Sequence, residues 1–188
     1  MTLYKSLFHG DKVRLAPFQA DDAEQMSKWF SDAQFLREID TDMAVPVTIH
    51  ELENKDRTGM KDHNGIQFRI RTLNDDRLVG FIALHSFEWN NQVALIAIGI
   101  GEGSERDQGY GTDAMRLILK YAFHELNLNR VGLDVISYNA RALKVYKKVG
   151  FKEEGRMRSA VLRNGNAYDR IIMGILKEEW THKQKSLS

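Results

Sequence analysis

Residues 106–112 read Arg-Asp-Gln-Gly-Tyr-Gly-Thr, between an apolar run at 93–101 and a helically periodic segment at 112–126. Strand, glycine-punctuated loop and helix in that order aim free backbone N–H groups and the positive end of a helix dipole at one point. Such a point suits an anion, most often a phosphate or pyrophosphate. Gly109 and Gly111 lack a Cβ, which lets the backbone approach a ligand closely. Taken alone, the loop reads equally as a tight turn. It is not a P-loop, because no Lys-Ser/Thr follows the second glycine, and its G-x-G spacing falls short of a dinucleotide fingerprint.

A second group of residues begins one helix and one strand later. Asn139 stands at the N-cap of a short helical segment, with a side chain free to bond backbone or ligand. Ala142, Val145, Tyr146 and Val149 share one face of that segment at helical spacing. Seven residues at 100° each put Asn139 and Tyr146 in the same angular sector, about 10 Å apart along the axis. A hydroxyl at the tip of an otherwise apolar stripe is what a buried proton donor looks like, although a packing tyrosine reads the same way. An acidic stretch carries Glu38, Asp40 and Asp42; it reads as a hydrated loop or as carboxylates that draw in a cation.

The elements that must position these residues follow from periodicity. Residues 12–16 alternate as a first strand. Asp21 with Glu24 has capping-box spacing and opens a helix to about Phe30. Residues 35–43 read as irregular. Thr48 with Glu51 opens a second, polar helix to about Lys61, burying little beyond Ile49, Leu52 and Met60. Residues 66–73 alternate strictly, 78–84 form the next strand and 93–101 the third of an antiparallel meander. A strand at 131–136, a helix at 140–149 stopped by Gly150, and strands at 157–162 and 168–176 complete the sheet. The last two join through Asn164-Gly165, a strong hairpin signal. A charged helical tail anchored by Trp180 closes the chain. The predicted fold is α+β: a mixed, mostly antiparallel sheet of six or seven strands with helices on both faces, in one domain over 1–188.

Composition narrows the function classes. The 188 residues are 43% hydrophobic and 28% charged, ordinary for a globular protein. A net charge of +1 argues against a nucleic-acid protein held by a broad basic face. The absence of cysteine excludes disulfides, thiolate metal sites and a cysteine nucleophile. Six histidines without paired spacing predict no metal site. No apolar run reaches membrane-span length and no signal-peptide pattern opens the chain, so the expectation is a cytoplasmic protein without membrane partners.

Arg106-x-x-Gly109-x-Gly111 after a strand, then Asn139-x-Arg-Ala-x-x-x-Tyr146-x-x-x-Gly150-Phe151, resembles the acetyl-CoA site of the GCN5-related N-acetyltransferases. The likeness spans about 93–151. The finer resemblance is to the RimJ/RimL-like branch, through Gly-Tyr-Gly-Thr-Asp-Ala at 109–114, Leu-Asn-Leu-Asn-Arg-Val at 126–131 and Glu-Glu-Gly-Arg at 153–156 followed by Arg-Asn-Gly at 163–165.

The resemblance implies that the strand at 93–101 splays from the one at 131–136. Backbone N–H groups of Asp107, Gln108, Gly109, Tyr110, Gly111 and Thr112, with Arg106 beside them, would hold the pyrophosphate of acetyl-CoA. Ile98, Gly99 and Ile100 would line the pantetheine arm, Asn139 would bond it, and Tyr146 would protonate the departing thiolate. An amine would attack directly, without an acyl-enzyme. That amine must shed a proton. Relatives often carry a glutamate early in the fourth strand, where the alternating position here is Leu95. Glu102 is the nearest acid in sequence and His85 is an alternative; each reads first as a structural or surface residue. Acceptor-side elements would span about 20–63 and 151–177, with Glu38, Asp40, Asp42, His85 and Trp89 as candidate acceptor contacts. The acceptor would be a protein N-terminus or a small amine such as a polyamine. A catalytically silent acyl-CoA sensor is the alternative, and a homodimer is left open.

Overall fold

The computed structural model describes residues 7–59, 65–101 and 103–185. Glu102 and Met60 lie outside them. Among the described residues, seven strands form one sheet in the order β1-β2-β3-β4-β5-β7-β6. They are β1 (Val13–Ala16), β2 (Gly65–Thr72), β3 (Leu78–Glu88), β4 (Val93–Ile100), β5 (Arg130–Ile136), β6 (Lys152–Arg163) and β7 (Asn166–Leu176). Every neighbouring pair is antiparallel except β4 and β5, which run parallel. The meander β2-β3-β4 and the terminal hairpin stand as the alternation and the Asn-Gly turn predict. Asn164 and Gly165 both take positive φ, 52° and 77°, the backbone such a two-residue turn demands.

Helices cover both faces. On one, α4 (Tyr110–Lys120) buries Ala114, Met115, Leu117, Ile118 and Leu119 against Ile82, Leu84, Ile96, Val131 and Leu133. Its stripe runs on through a π-helical turn, Tyr121–Glu125, which brings Phe123 inward to meet Trp180 of α6 (Lys177–Lys185) at 5.6 Å between ring centroids. The other face carries a smaller core of Met26, Trp29, Phe35, Leu52 and Phe81, supplied largely by α1 (Asp22–Trp29), α2 (Ala33–Ile39) and α3 (Ile49–Gly59).

Two local expectations need correction. Asp21 stands at the N-cap of α1 with helical backbone angles, and its side chain caps nothing. The adjacent Asp22 accepts the Gln19 N–H at 2.8 Å and is buried against Arg71 and Arg69. A long-range ion pair therefore claims the carboxylate, and the box spacing of Asp21 and Glu24 goes unused. The stretch at 35–43 is not irregular throughout, because α2 occupies 33–39, opened by the Asp32 side chain accepting from Gln34 N–H at 2.9 Å. Burial of Phe35 and Leu36 holds this short helix, since seven residues cannot sustain one alone. The Thr48–Glu51 box does form: Glu51 Oε2 accepts from the Thr48 N–H at 2.8 Å, and the Glu51 N–H donates back to Thr48 Oγ1 at 3.3 Å. Ile49 at the head of that helix is exposed, whereas Leu52 is buried.

Candidate active site

The parallel pair β4/β5 is joined over three residues only: Val93 to Arg130, Ala94 to Val131 and Leu95 to Gly132. Beyond that row the strands part. Residues 96–100 keep their antiparallel partners on β3, while their other edge faces a cleft instead of β5. The cleft has a volume of about 400 Å³ and runs from the loop before α4 to the end of α2.

At one end, Gly109 is the N-cap of α4 with φ 86°, a left-handed conformation that a side chain would strain. No side chain caps this helix, so the N–H groups of its first turn are left for an outside acceptor. Loop and helix are braced from behind: Lys12 Nζ donates to the Gln108 carbonyl at 2.7 Å, and Asp113 Oδ2 accepts the Lys12 and Val13 N–H groups at 2.7 and 3.0 Å. A Cβ placed on Gly111 would meet only Ile100 side-chain atoms, the nearest at 3.6 Å. The backbone there is thus bare toward the cleft, as a seat for an anion requires.

In the middle, α5 (Ala140–Val149) presents Ala142, Val145 and Tyr146. Gly150, at φ 119°, ends the helix. Among the described residues no group hydrogen-bonds the Tyr146 hydroxyl. Burial, with the negative charge of Asp134 second, raises its pKa well above the ordinary tyrosine value. The phenol stays neutral at physiological pH and is a donor, not a base.

The cleft brings together most of the residues singled out from the sequence. Ile98, Gly99, Ile100, Arg106, Asp107, Gly109, Tyr110, Gly111, Thr112, Asn139 and Tyr146 line it, as do Glu38, Asp40 and His85. Gln108, Asp42 and Trp89 do not. Gln108 is exposed, Asp42 lends its carbonyl to Arg163 at 2.9 Å, and Trp89 is an exposed turn residue stacked on Phe87 at 4.4 Å. Asn139 is more committed than its N-cap position implies. Its Oδ1 accepts from Ala142 N–H at 3.1 Å and its Nδ2 donates to the Glu38 carbonyl at 3.1 Å, tying α5 to α2. Arg106 spans the cleft to Glu38 at 3.1 Å. Asp134, a cleft residue on β5, belongs to no motif in the sequence; its alternation with buried Leu133 and Val135 marks it only as facing outward.

Chemically, the cleft offers a backbone anion seat, a strand edge with unpaired amides, a neutral buried phenol and an acidic far end. Long, partly apolar phosphorylated molecules fit such a series. Among the described residues no group of three or more His, Asp or Glu is placed to hold a metal ion, and no helix is long and apolar enough to cross a membrane.

The family model described as acetyltransferase (GNAT) domain matches residues 12–152. The Bacillus subtilis (strain 168) protein named "Putative ribosomal N-acetyltransferase YdaF" is 32% identical over 172 residues, 90% of this chain and 88% of that protein. The L-amino acid N-acetyltransferase AaaT of Escherichia coli (strain K12) is 29% identical over 119 residues, 63% of this chain and 73% of that protein. Among solved structures, spermidine N-acetyltransferase from Vibrio cholerae, in complex with CoA and spermine, aligns with a TM-score of 0.81. That alignment covers 90% of this chain and 98% of the other at 21% identity, a likeness of fold alone.

Proposed function

The chain belongs to the acetyltransferase (GNAT) family and is an N-acetyltransferase, and on that premise we propose that it passes an acetyl group from acetyl-CoA directly to a primary amine. The RimJ/RimL-like motifs and the relative named for ribosomal acetylation favour a protein N-terminus as acceptor. The structural neighbour that acts on spermidine makes a polyamine the other member of the class. The carrying observation is the parting of β4 from β5 beside the bare first turn of α4, with Tyr146 on the same cleft wall.

Each segment of the cleft has a task in this reaction. The N–H groups of residues 110–112 take the diphosphate, where the helix dipole adds to the hydrogen bonds. The open edge of β4 lines the pantetheine arm, and its amides stabilise the carbonyl oxygen as negative charge grows there. Acetyl-CoA supplies an activated acyl group, so the chain need not form a covalent bond of its own. Tyr146 gives its proton to the departing sulfur. Its high pKa does not bar this step, because a thiolate stripped of water in the same enclosed place is also a stronger base than in solution. Positioning carries most of the rate, and proton transfer adds about 10²–10⁴-fold.

The test is thiol release from acetyl-CoA across peptides with free N-termini, polyamines and amino acids. Amine-dependent release supports acetyl transfer. Tight coenzyme binding without release for any amine would turn the chain into an acyl-CoA sensor.

A further inference from the structure

An amine attacks only through a free lone pair, and most primary amines reach an enzyme as ammonium ions. Something in the acceptor half of the cleft must take that proton. Among the described residues, which do not include Glu102, the titratable groups there are few. Glu38 already holds Arg106 at 3.1 Å and accepts from Gln34 Nε2 at 3.1 Å. Glu105 is paired with Arg77. Asp134 faces Arg170 at 3.6 Å, and Asp40 is exposed at the rim, accepting the Asp42 N–H at 3.1 Å. Tyr146 is a neutral donor. His85 remains.

Its place in the sheet is specific. His85 pairs with Leu95, and Leu95 with Gly132, so the three form the last row in which β3, β4 and β5 are all joined. Directly opposed residues carry their side chains on one face of a sheet. Gly132 has no side chain to offer, and Leu95 leans its Cδ2 over it, 3.0 Å from where a Cβ would stand. Of the row, only His85 lines the cleft, and it does so where the two strands begin to diverge. Its Nδ1 lies 3.0 Å from the Ser86 hydroxyl. In the tautomer that donates this hydrogen to Ser86 Oγ, Nε2 keeps its lone pair, and among the described residues no other group hydrogen-bonds the ring.

The surroundings set its charge. Burial lowers the His85 pKa from the ordinary histidine value, while Asp134 on β5 and Asp40 after α2 pull the other way. Arg170 on β7 tempers Asp134. The imidazole is neutral at pH 7, with two carboxylates near enough to feel it.

Resting on the acetyl-transfer reading above, we propose that His85 is the proton acceptor for the attacking amine, and that Asp40 and Asp134 draw that amine in as an ammonium ion. His85 Nε2 takes one proton from the ammonium and later yields it to water. The nitrogen lone pair then forms the C–N bond to the acetyl carbon as the C–S bond breaks. Tyr146 protonates the sulfur and is reprotonated, through solvent, by the second proton that nitrogen loses. The sum is amide, thiol and one proton released.

His85→Gln in the full chain tests this with two acceptors: an alkylamine, protonated at pH 7, and a hydrazide, largely unprotonated there. With the alkylamine kcat falls about 100-fold and the acid limb of kcat/KM disappears; with the hydrazide the loss shrinks to under about threefold. Coenzyme affinity by calorimetry stays at the wild-type value. Equal losses for both amines, or wild-type turnover with the alkylamine, would overturn the assignment. If the glutamine variant melts early, His85→Asn carries the same comparison. Should the wild type itself release no thiol with either amine, the acetyl-transfer reading fails, and the failure is not that of His85.

Discussion

Gly111→Val separates the ligand seat from the fold. An added Cβ at this position meets nothing closer than Ile100 Cγ1 at 3.6 Å, an ordinary contact. Residue 111 sits in the first turn of α4, where valine is a slightly better helix former than glycine. Stability should therefore hold or rise by a few tenths of a kcal/mol. The branched side chain, however, projects over the amides that face the cleft. If it displaces a diphosphate from two N–H donors, at about 1.5–3 kcal/mol for each bond to a charged group, the loss is about 3–6 kcal/mol. That corresponds to a rise in Kd of about 10²–10⁴-fold. Titration calorimetry with CoA, beside a thermal melt of each protein, reads both quantities. A variant that melts like wild type and binds CoA within about threefold of it would refute the seat.

Other perturbations probe the remaining parts. Tyr146→Phe should lower kcat by about 10²–10⁴-fold with CoA affinity unchanged, and unaltered kcat would remove the phenol from the chemistry. Because burial holds the Tyr146 pKa above its ordinary place, wild-type kcat should show no alkaline decline near pH 10; a decline there that Tyr146→Phe abolishes would contradict the neutral phenol. Asp22→Ala removes the buried carboxylate that faces Arg69 and Arg71, both almost fully buried, and should cost about 3–5 kcal/mol in urea unfolding; under about 1 kcal/mol would mean that other partners or water compensate the two guanidinium charges.

Much of this architecture was legible in the chain. Alternation marked the meander, and Asn164-Gly165 and Gly150 marked a turn and a helix stop through φ values that few residues accept. The two motifs pointed to one cleft because strand, loop and helix order fixes where N–H groups converge. Long-range partners were not legible. Helix α2 owes its existence to Phe35 and Leu36 meeting the sheet, not to local propensity. Asn139 read as an N-cap side chain open to backbone or ligand; the sequence could not show that its amide meets the Glu38 carbonyl, a contact across 101 residues. Nothing in the sequence singles out Asp134, and only the divergence of β4 from β5 makes its face of the sheet a cleft wall.

If the first turn of α4 and the freed edge of β4 together hold the coenzyme, a crystal structure with acetyl-CoA bound should show it there. Diphosphate oxygens should lie on the N–H groups of residues 110–112 and the thioester between the parted strands, within reach of Tyr146. Density for the coenzyme elsewhere on the sheet, with this cleft filled by the chain's own side chains, would contradict it.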